Sequence, residues 1–156
     1  MSDEIEARLV QLGYTLPQAP EPVGNYLPAQ RSGNIMWLAG VGSRVAGGQR
    51  VSGKLGAELT VEEGYAAARL CALNLLARIK AELGTLDRVS QVLKVVGYVN
   101  SDPRFGEQAR VVDGASDLLV ELYGDRGRHA RSAPGMGALP HNIAVICEGV
   151  IEFTPE

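Results

Sequence analysis

The chain has 156 residues and a mass of 16.6 kDa, with 15 basic and 18 acidic side chains, a formal charge of −3 and a pI near 5.5. That length suits one domain, which buries roughly 70% of the surface its unfolded chain exposes, and the interspersed charge gives no footprint for nucleic acid. Cys71 and Cys147 form no CxxC, the start MSDEIEARLV lacks the basic and apolar runs of a signal peptide, and no 18-residue apolar stretch occurs. A disulfide scaffold, a zinc module and a membrane span are therefore disfavoured, and the expected setting is cytoplasmic.

Ile5, Leu9 and Leu12 recur at near-helical spacing before Gly13, which predicts a short amphipathic helix over residues 3–12. Pro17, Pro20, Pro22 and Pro28 then keep Leu16 to Ala29 out of regular structure, since proline fixes φ and removes a donor. Residues 1–22 read as an N-terminal extension and 23–156 as the domain. Tyr26–Arg31 and Asn34–Ala39 predict two strands joined by a tight turn at Ser32-Gly33, with Ile35, Met36, Trp37 and Leu38 as a buried run. Gly40–Gly56 holds six glycines, which predicts loops and at most one short edge strand near Gln49–Gly53.

Thr60 to Glu63 spells a capping box, and Tyr65, Ala68, Ala72, Leu75, Leu76, Ile79 and Leu83 continue one apolar stripe to Gly84. A long helix is predicted there. Val89–Asn100 is a valine-rich strand ended by Asn100-Ser101-Asp102-Pro103, and a second helix carries Val111, Ala115, Leu118 and Leu122 to Gly124. Asn142–Phe153, led in by Pro140, predicts the last strand. The order strand, strand, helix, strand, helix, strand implies an α+β fold, a mixed β-sheet with two long helices packed on one face. Its other face then needs a cover, and a second subunit is the expected one.

Most familiar motifs fail on their neighbours. Gly48 to Lys54 matches GxxxxGK, but Leu55 stands where the magnesium-holding hydroxyl belongs and Gly56 where a helix should start. Gly40-Val41-Gly42 is followed by Val45 instead of the third glycine of a dinucleotide fingerprint. His129 and His141 have no metal-ligand spacing with each other or with the cysteines, and no G-x-S-x-G elbow marks a nucleophilic serine. Arg126, Arg128, His129 and Arg131 form a basic cluster of the kind usually solvated.

Glu148 is the sharper signal. It shares a strand face with Ile146 and Val150, where an ionised carboxylate is costly unless cations or donors meet it. Such an acid either fixes register through an internal pair or sits at a cleft to handle the proton of a water. Arg131, just before the turn-rich Pro134 to Gly137, can offer a planar fork to a substrate carboxylate, or simply pair with Glu148.

Ala130-Arg131-Ser132, then Ala138-Leu139-Pro140, then a strand bearing Glu148, resembles the C-terminal signature of the RidA/YjgF family of enamine/imine deaminases, also called L-PSP endoribonuclease-like proteins. Gly24-Asn25-Tyr26 stands where that family usually has Gly-Pro-Tyr, and Leu38-Ala39-Gly40 resembles its Ser-Gly strand end; the likeness runs from about Val23 to Phe153. The resemblance implies a chorismate-mutase-like homotrimer with sites at subunit clefts, free of cofactor and metal. It also implies hydrolysis of 2-imino or enamino acids: Arg131 grips the carboxylate, Glu148 orients water, and Tyr26, Gly40 and Ser132 line the pocket. Ala133 stands where the deaminase branch commonly has cysteine. A small-carboxylate binder that does not turn its ligand over is the alternative, and ribonuclease activity the weaker one.

Overall fold

The computed structural model describes residues 3–45 and 48–156. Helix α1 (Glu4–Gln11) is firmly docked, with Ile5 and Leu9 buried. Asp3 caps it and also accepts from the Leu86 N–H at 2.8 Å and the Thr85 hydroxyl at 2.9 Å, while Asp87 accepts from the Glu4 and Ile5 N–H groups. These reciprocal bonds give a short helix the external partners its length requires. The proline-rich stretch has no regular structure, and β1 starts only after Pro28.

Strands β1 (Ala29–Ser32) and β2 (Ile35–Gly42) pair antiparallel around Gly33, whose φ of 58° is the left-handed value the turn needs. The first strand is thus shorter than predicted, because Pro28 has no N–H to lend the ladder. Between β2 and the next helix the described residues form isolated bridges, Arg44 with Arg50 and Ser52 with Ile143 among them, and no strand near Gln49–Gly53, within the expectation of loops and at most one short edge strand. Ala46 and Gly47 of that loop lie outside the described residues. Lys54 has no helix behind it: the chain turns at Gly56 (φ 82°), and α2 begins at Val61.

Helix α2 (Val61–Leu83) carries both capping-box bonds and ends at left-handed Gly84, as the sequence predicts. Strand β3 (Val89–Asn100), helix α3 (Gln108–Tyr123), the short strands β4 (Ala130–Ser132) and β5 (Gly135–Met136), and β6 (Val145–Phe153) follow. The sheet order is β1-β2-β6-β3-β4, with β5 also on β3; β4 and β5 run parallel to β3, and the other pairs are antiparallel. The last strand starts at Val145 instead of Asn142, because His141 and Asn142 take positive φ (58° and 55°) that no strand accepts.

Both long helices cover one sheet face. Leu76, Val111, Leu118 and Leu122 meet Met36, Val95, Val99 and Ile151 there, all essentially sealed from solvent. Gly114 lets α3 touch α2: a Cβ at that position would come within 2.0 Å of the Tyr65 carbonyl oxygen. Along β6, Val145, Cys147, Gly149, Ile151 and Phe153 lie under the helices, while Ile146, Glu148, Val150 and Glu152 face the other way, half-buried. On that open face Trp37 is 47% exposed. No helix among the described residues is long and apolar enough to cross a membrane.

Candidate functional site

Strand parity settles where the two sequence-predicted residues go. In the register, Arg131 stands beside Val95 and Glu148 beside Val96, one step further along the same strand. Successive side chains point to opposite faces, so Arg131 lies against the helices and Glu148 on the open face. A direct Arg131–Glu148 ion pair does not form.

Arg131 sits on β4, an edge strand that the turn-rich sequence concealed. Its Nη1 donates to Asp113 Oδ1 at 2.7 Å and to Ser116 Oγ at 3.1 Å, and its Nη2 to the Ala109 carbonyl at 3.3 Å. Helix α3 supplies all three acceptors. Ser116 Oγ is also 2.9 Å from His129 Nε2, and His129 Nδ1 is 2.6 Å from the Gly127 carbonyl. Burial chiefly holds the His129 pKa below its ordinary value, and the neighbouring Arg131 charge adds to this against the Gly127 bond. These groups border a cleft of about 500 Å³ whose other walls are Asp117, Val120, Glu121 and Arg128.

The open face carries a second cleft, of about 350 Å³, lined by Glu148 with Leu27, Trp37, Ala39, Lys94 and Val96 among others. Glu148 Oε1 accepts the Tyr98 hydroxyl at 2.6 Å, and that bond, more than burial, raises the Tyr98 pKa. No other hydrogen bond to the carboxylate occurs among the described residues. Opposite it β2 is irregular: Leu38 pairs with Gly149 and Val41 with Cys147, so Ala39 and Gly40 together face the single residue Glu148. Bulges of this kind re-aim groups beside functional sites. A Cβ at Gly40 would sit 3.1 Å from Ile146 Cγ2, a tight contact that the Ile146 side chain would have to yield to.

Of the remaining predicted residues, Ser132 lies on the open face, where its hydroxyl accepts from Lys94 Nζ at 3.3 Å. Tyr26 is apart from both clefts, exposed in the connector, with its hydroxyl accepting from the Val23 N–H at 3.4 Å. Two contributors escaped the sequence reading. Arg78 on α2 is 3% exposed and donates to the Ala39 carbonyl at 3.2 Å and to the Pro20 carbonyl at 2.8 Å, clamping the bulge to the connector. Burial lowers its pKa. Asp113 is the other; its place one turn before Asp117 on a helix following a parallel-sheet strand was the available clue.

A mixed sheet roofed on one side by two long helices, with a half-buried arginine on its edge strand and an acid on the bare face, defines a chorismate-mutase-like α+β domain. Residues 6–152 match the family described as "YjgF/chorismate mutase-like, putative endoribonuclease", and the chain belongs to that RidA/YjgF family. It is 43% identical to "Protein TCP17" of Trypanosoma cruzi over 97% of this chain and 96% of that protein. Among solved structures, Atu1372 of Agrobacterium tumefaciens, a protein of unknown function, is 41% identical with a TM-score of 0.91, covering 98% of this chain and 95% of that one. A "putative endoribonuclease" from Shewanella oneidensis MR-1 is 36% identical with a TM-score of 0.92, covering 96% and 99%.

Proposed function

We propose that the protein hydrolyses reactive 2-imino or enamino acids to 2-oxo acids and ammonia, as a cytoplasmic, cofactor-free homotrimer. Arg131 anchors the substrate carboxylate and Glu148 orients the water, with Tyr26, Gly40 and Ser132 as accessory residues. Because the sheet separates Arg131 from Glu148 within one chain, the two reach a common substrate only across a subunit boundary. The bare sheet face, with its half-exposed Trp37, supports such an association.

The observation that carries the reading is the state of Glu148: half-buried among mostly apolar walls that also hold Lys94 and Gln30, one oxygen on Tyr98, at a bulge beside a cleft of small-molecule size. A carboxylate held this way can take a proton from water as its oxygen adds to the C=N carbon. The proton returns to the imine nitrogen, giving a neutral carbinolamine; as its C–N bond breaks, the hydroxyl proton passes by way of the carboxylate to the nitrogen, so ammonia leaves and the C=O of the 2-oxo acid forms. An imine carbon is electrophilic already, so positioning and proton handling suffice.

The separation of Arg131 from Glu148 favours a second reading, binding of a small carboxylate without turnover. Ribonuclease activity has less support, because the basic cluster offers phosphates little free charge: Arg126 donates to the Val89 carbonyl, and Arg128 lies 3.4 Å from Asp125. Asp117 and Glu121 in the same cleft repel phosphates.

The test generates 2-iminopropionate in place with an amino-acid oxidase and traps it with semicarbazide. Added protein should lower trapping, and Arg131→Ala should abolish the effect. An inactive wild type that binds pyruvate calorimetrically, with a loss of about 2–5 kcal/mol in Arg131→Ala, would establish the binding reading instead.

A further inference from the structure

The sequence offers no nucleophile motif, yet the fold brings one serine and one histidine together. Ser116 projects from α3 and His129 from the turn before β4, 13 residues apart, and they meet at 2.9 Å. The surrounding bonds settle the proton positions. A carbonyl only accepts, so the 2.6 Å contact with Gly127 puts the imidazole proton on Nδ1. In the neutral ring Nε2 then offers its lone pair, and the Ser116 hydroxyl donates to it. Arg131 Nη1, 3.1 Å from the same serine oxygen, donates to it from another side. The result is a nucleophile, a base and an orienting acceptor in sequence, with a fixed cation beside the nucleophile.

We propose that Ser116 is an activated nucleophile with His129 as its general base, forming an acyl-transfer site for small carboxylic esters in the α3/β4 cleft. The Ser116 oxygen attacks the ester carbonyl carbon while its proton passes to His129 Nε2. The carbonyl becomes an oxyanion, whose charge the Arg131 guanidinium offsets. When the tetrahedral centre collapses, the C–O bond to the alcohol breaks and His129 returns the proton to the departing alkoxide. Water repeats the steps on the acyl-serine, releasing the carboxylic acid and restoring Ser116. Val120 gives the acyl group an apolar wall, and the cleft, about 500 Å³, admits a ligand of this size. The neutral imidazole the base requires is the form that burial favours.

The test uses an alkyl fluorophosphonate, whose phosphorus takes the serine oxygen and releases fluoride, on the native protein. The expected result is one adduct per chain, mapped to Ser116 by peptide mass, and none in Ser116→Ala. His129→Gln should slow labelling about 100-fold or more, the usual worth of a positioned base. The wild-type rate gives a second measure that needs no substitution. His129 faces Asp117 and Glu121 from α3, Arg128 from its own turn and Arg131 from β4. With its pKa held below the ordinary 6.5, labelling should stay at its plateau at neutral pH and fall only in mildly acidic solution. No adduct, an adduct on another residue, or His129→Gln reacting as fast as wild type would overturn the proposal. Labelling needs no imine, so it stands or falls separately from the deamination reading.

Discussion

The two faces of one sheet hold their charges in opposite ways. On the helix side, Arg131 is held by three acceptors of α3 and lies next to a second polar pair, Ser116 and His129. On the open side, Glu148 has a single hydrogen-bond partner among the described residues, the Tyr98 hydroxyl, and mostly apolar walls with Lys94 and Gln30 among them. One residue of register separates these environments, since Arg131 aligns with Val95 and Glu148 with Val96. The contrast teaches that the helix layer supplies Arg131 with its partners from within the chain, whereas the bare face leaves its acid with one hydroxyl.

The largest effect that should sharpen this contrast is on catalysis. Glu148→Gln keeps an acceptor for Tyr98 but cannot take a proton, so imine hydrolysis should fall about 10²–10⁴-fold, while urea unfolding shifts by about 0.5 kcal/mol or less. Equal activity would leave the open face without a chemical role. Next is the helix face. Gly114→Ala drives a methyl into the Tyr65 carbonyl and should cost about 1–3 kcal/mol in urea unfolding. The displaced α3 should also weaken carboxylate binding at Arg131. Smaller again, Trp37→Glu adds a charge to the exposed apolar face and should weaken self-association at least about tenfold, or about 1.4 kcal/mol. Wild type is expected to sediment at three times the mass of the 16.6 kDa chain, and the variant at the mass of the single chain. Wild type sedimenting as a single chain at micromolar concentration would remove the proposed subunit cleft.

What the sequence revealed follows from how local each signal is. The capping box at Thr60 and the stop at Gly84 bounded α2 correctly because those bonds form within a few residues. The valine run of β3 and the two-faced pattern of β6 were equally legible, and with them the mixed sheet and the single helix layer. Strands β4 and β5 were not, because two or three residues among glycines and prolines carry no period, and only parallel pairing to β3 makes them strands. Glu148 was recognisable as a costly acid in an apolar strand. Its separation from Arg131 was not, since the face on which Arg131 points depends on a strand the sequence hid. Arg78 looked like one more polar residue on a long helix, and only the fold places the Ala39 and Pro20 carbonyls around it.

The smallest expected effect concerns acid and the helix layer. Burial alone would raise the Asp3 pKa, but bonds from the Glu6 and Leu86 N–H groups and the Thr85 hydroxyl outweigh it and hold the carboxyl below its ordinary 3.8. Between the folded and the ordinary value the unfolded chain binds more protons, so stability rises with pH there. The contribution is fully present above 3.8 and is lost as pH falls through the lower, folded value. Helix α1 should therefore loosen on acidification from about pH 5 to about pH 2, by no more than an N-cap is worth, about 0.5–2 kcal/mol. Since Arg8 on α1 donates to the Leu122 carbonyl at the end of α3, the loosening should spread into the helix layer. Amide exchange should show α1 and Leu86 losing protection first while β6 keeps its own. Asp3→Asn retains a capping oxygen without a titrating proton and should flatten the pH dependence. An unchanged acid profile in that variant would place the sensitivity elsewhere, with the carboxylates of the open face the next to test.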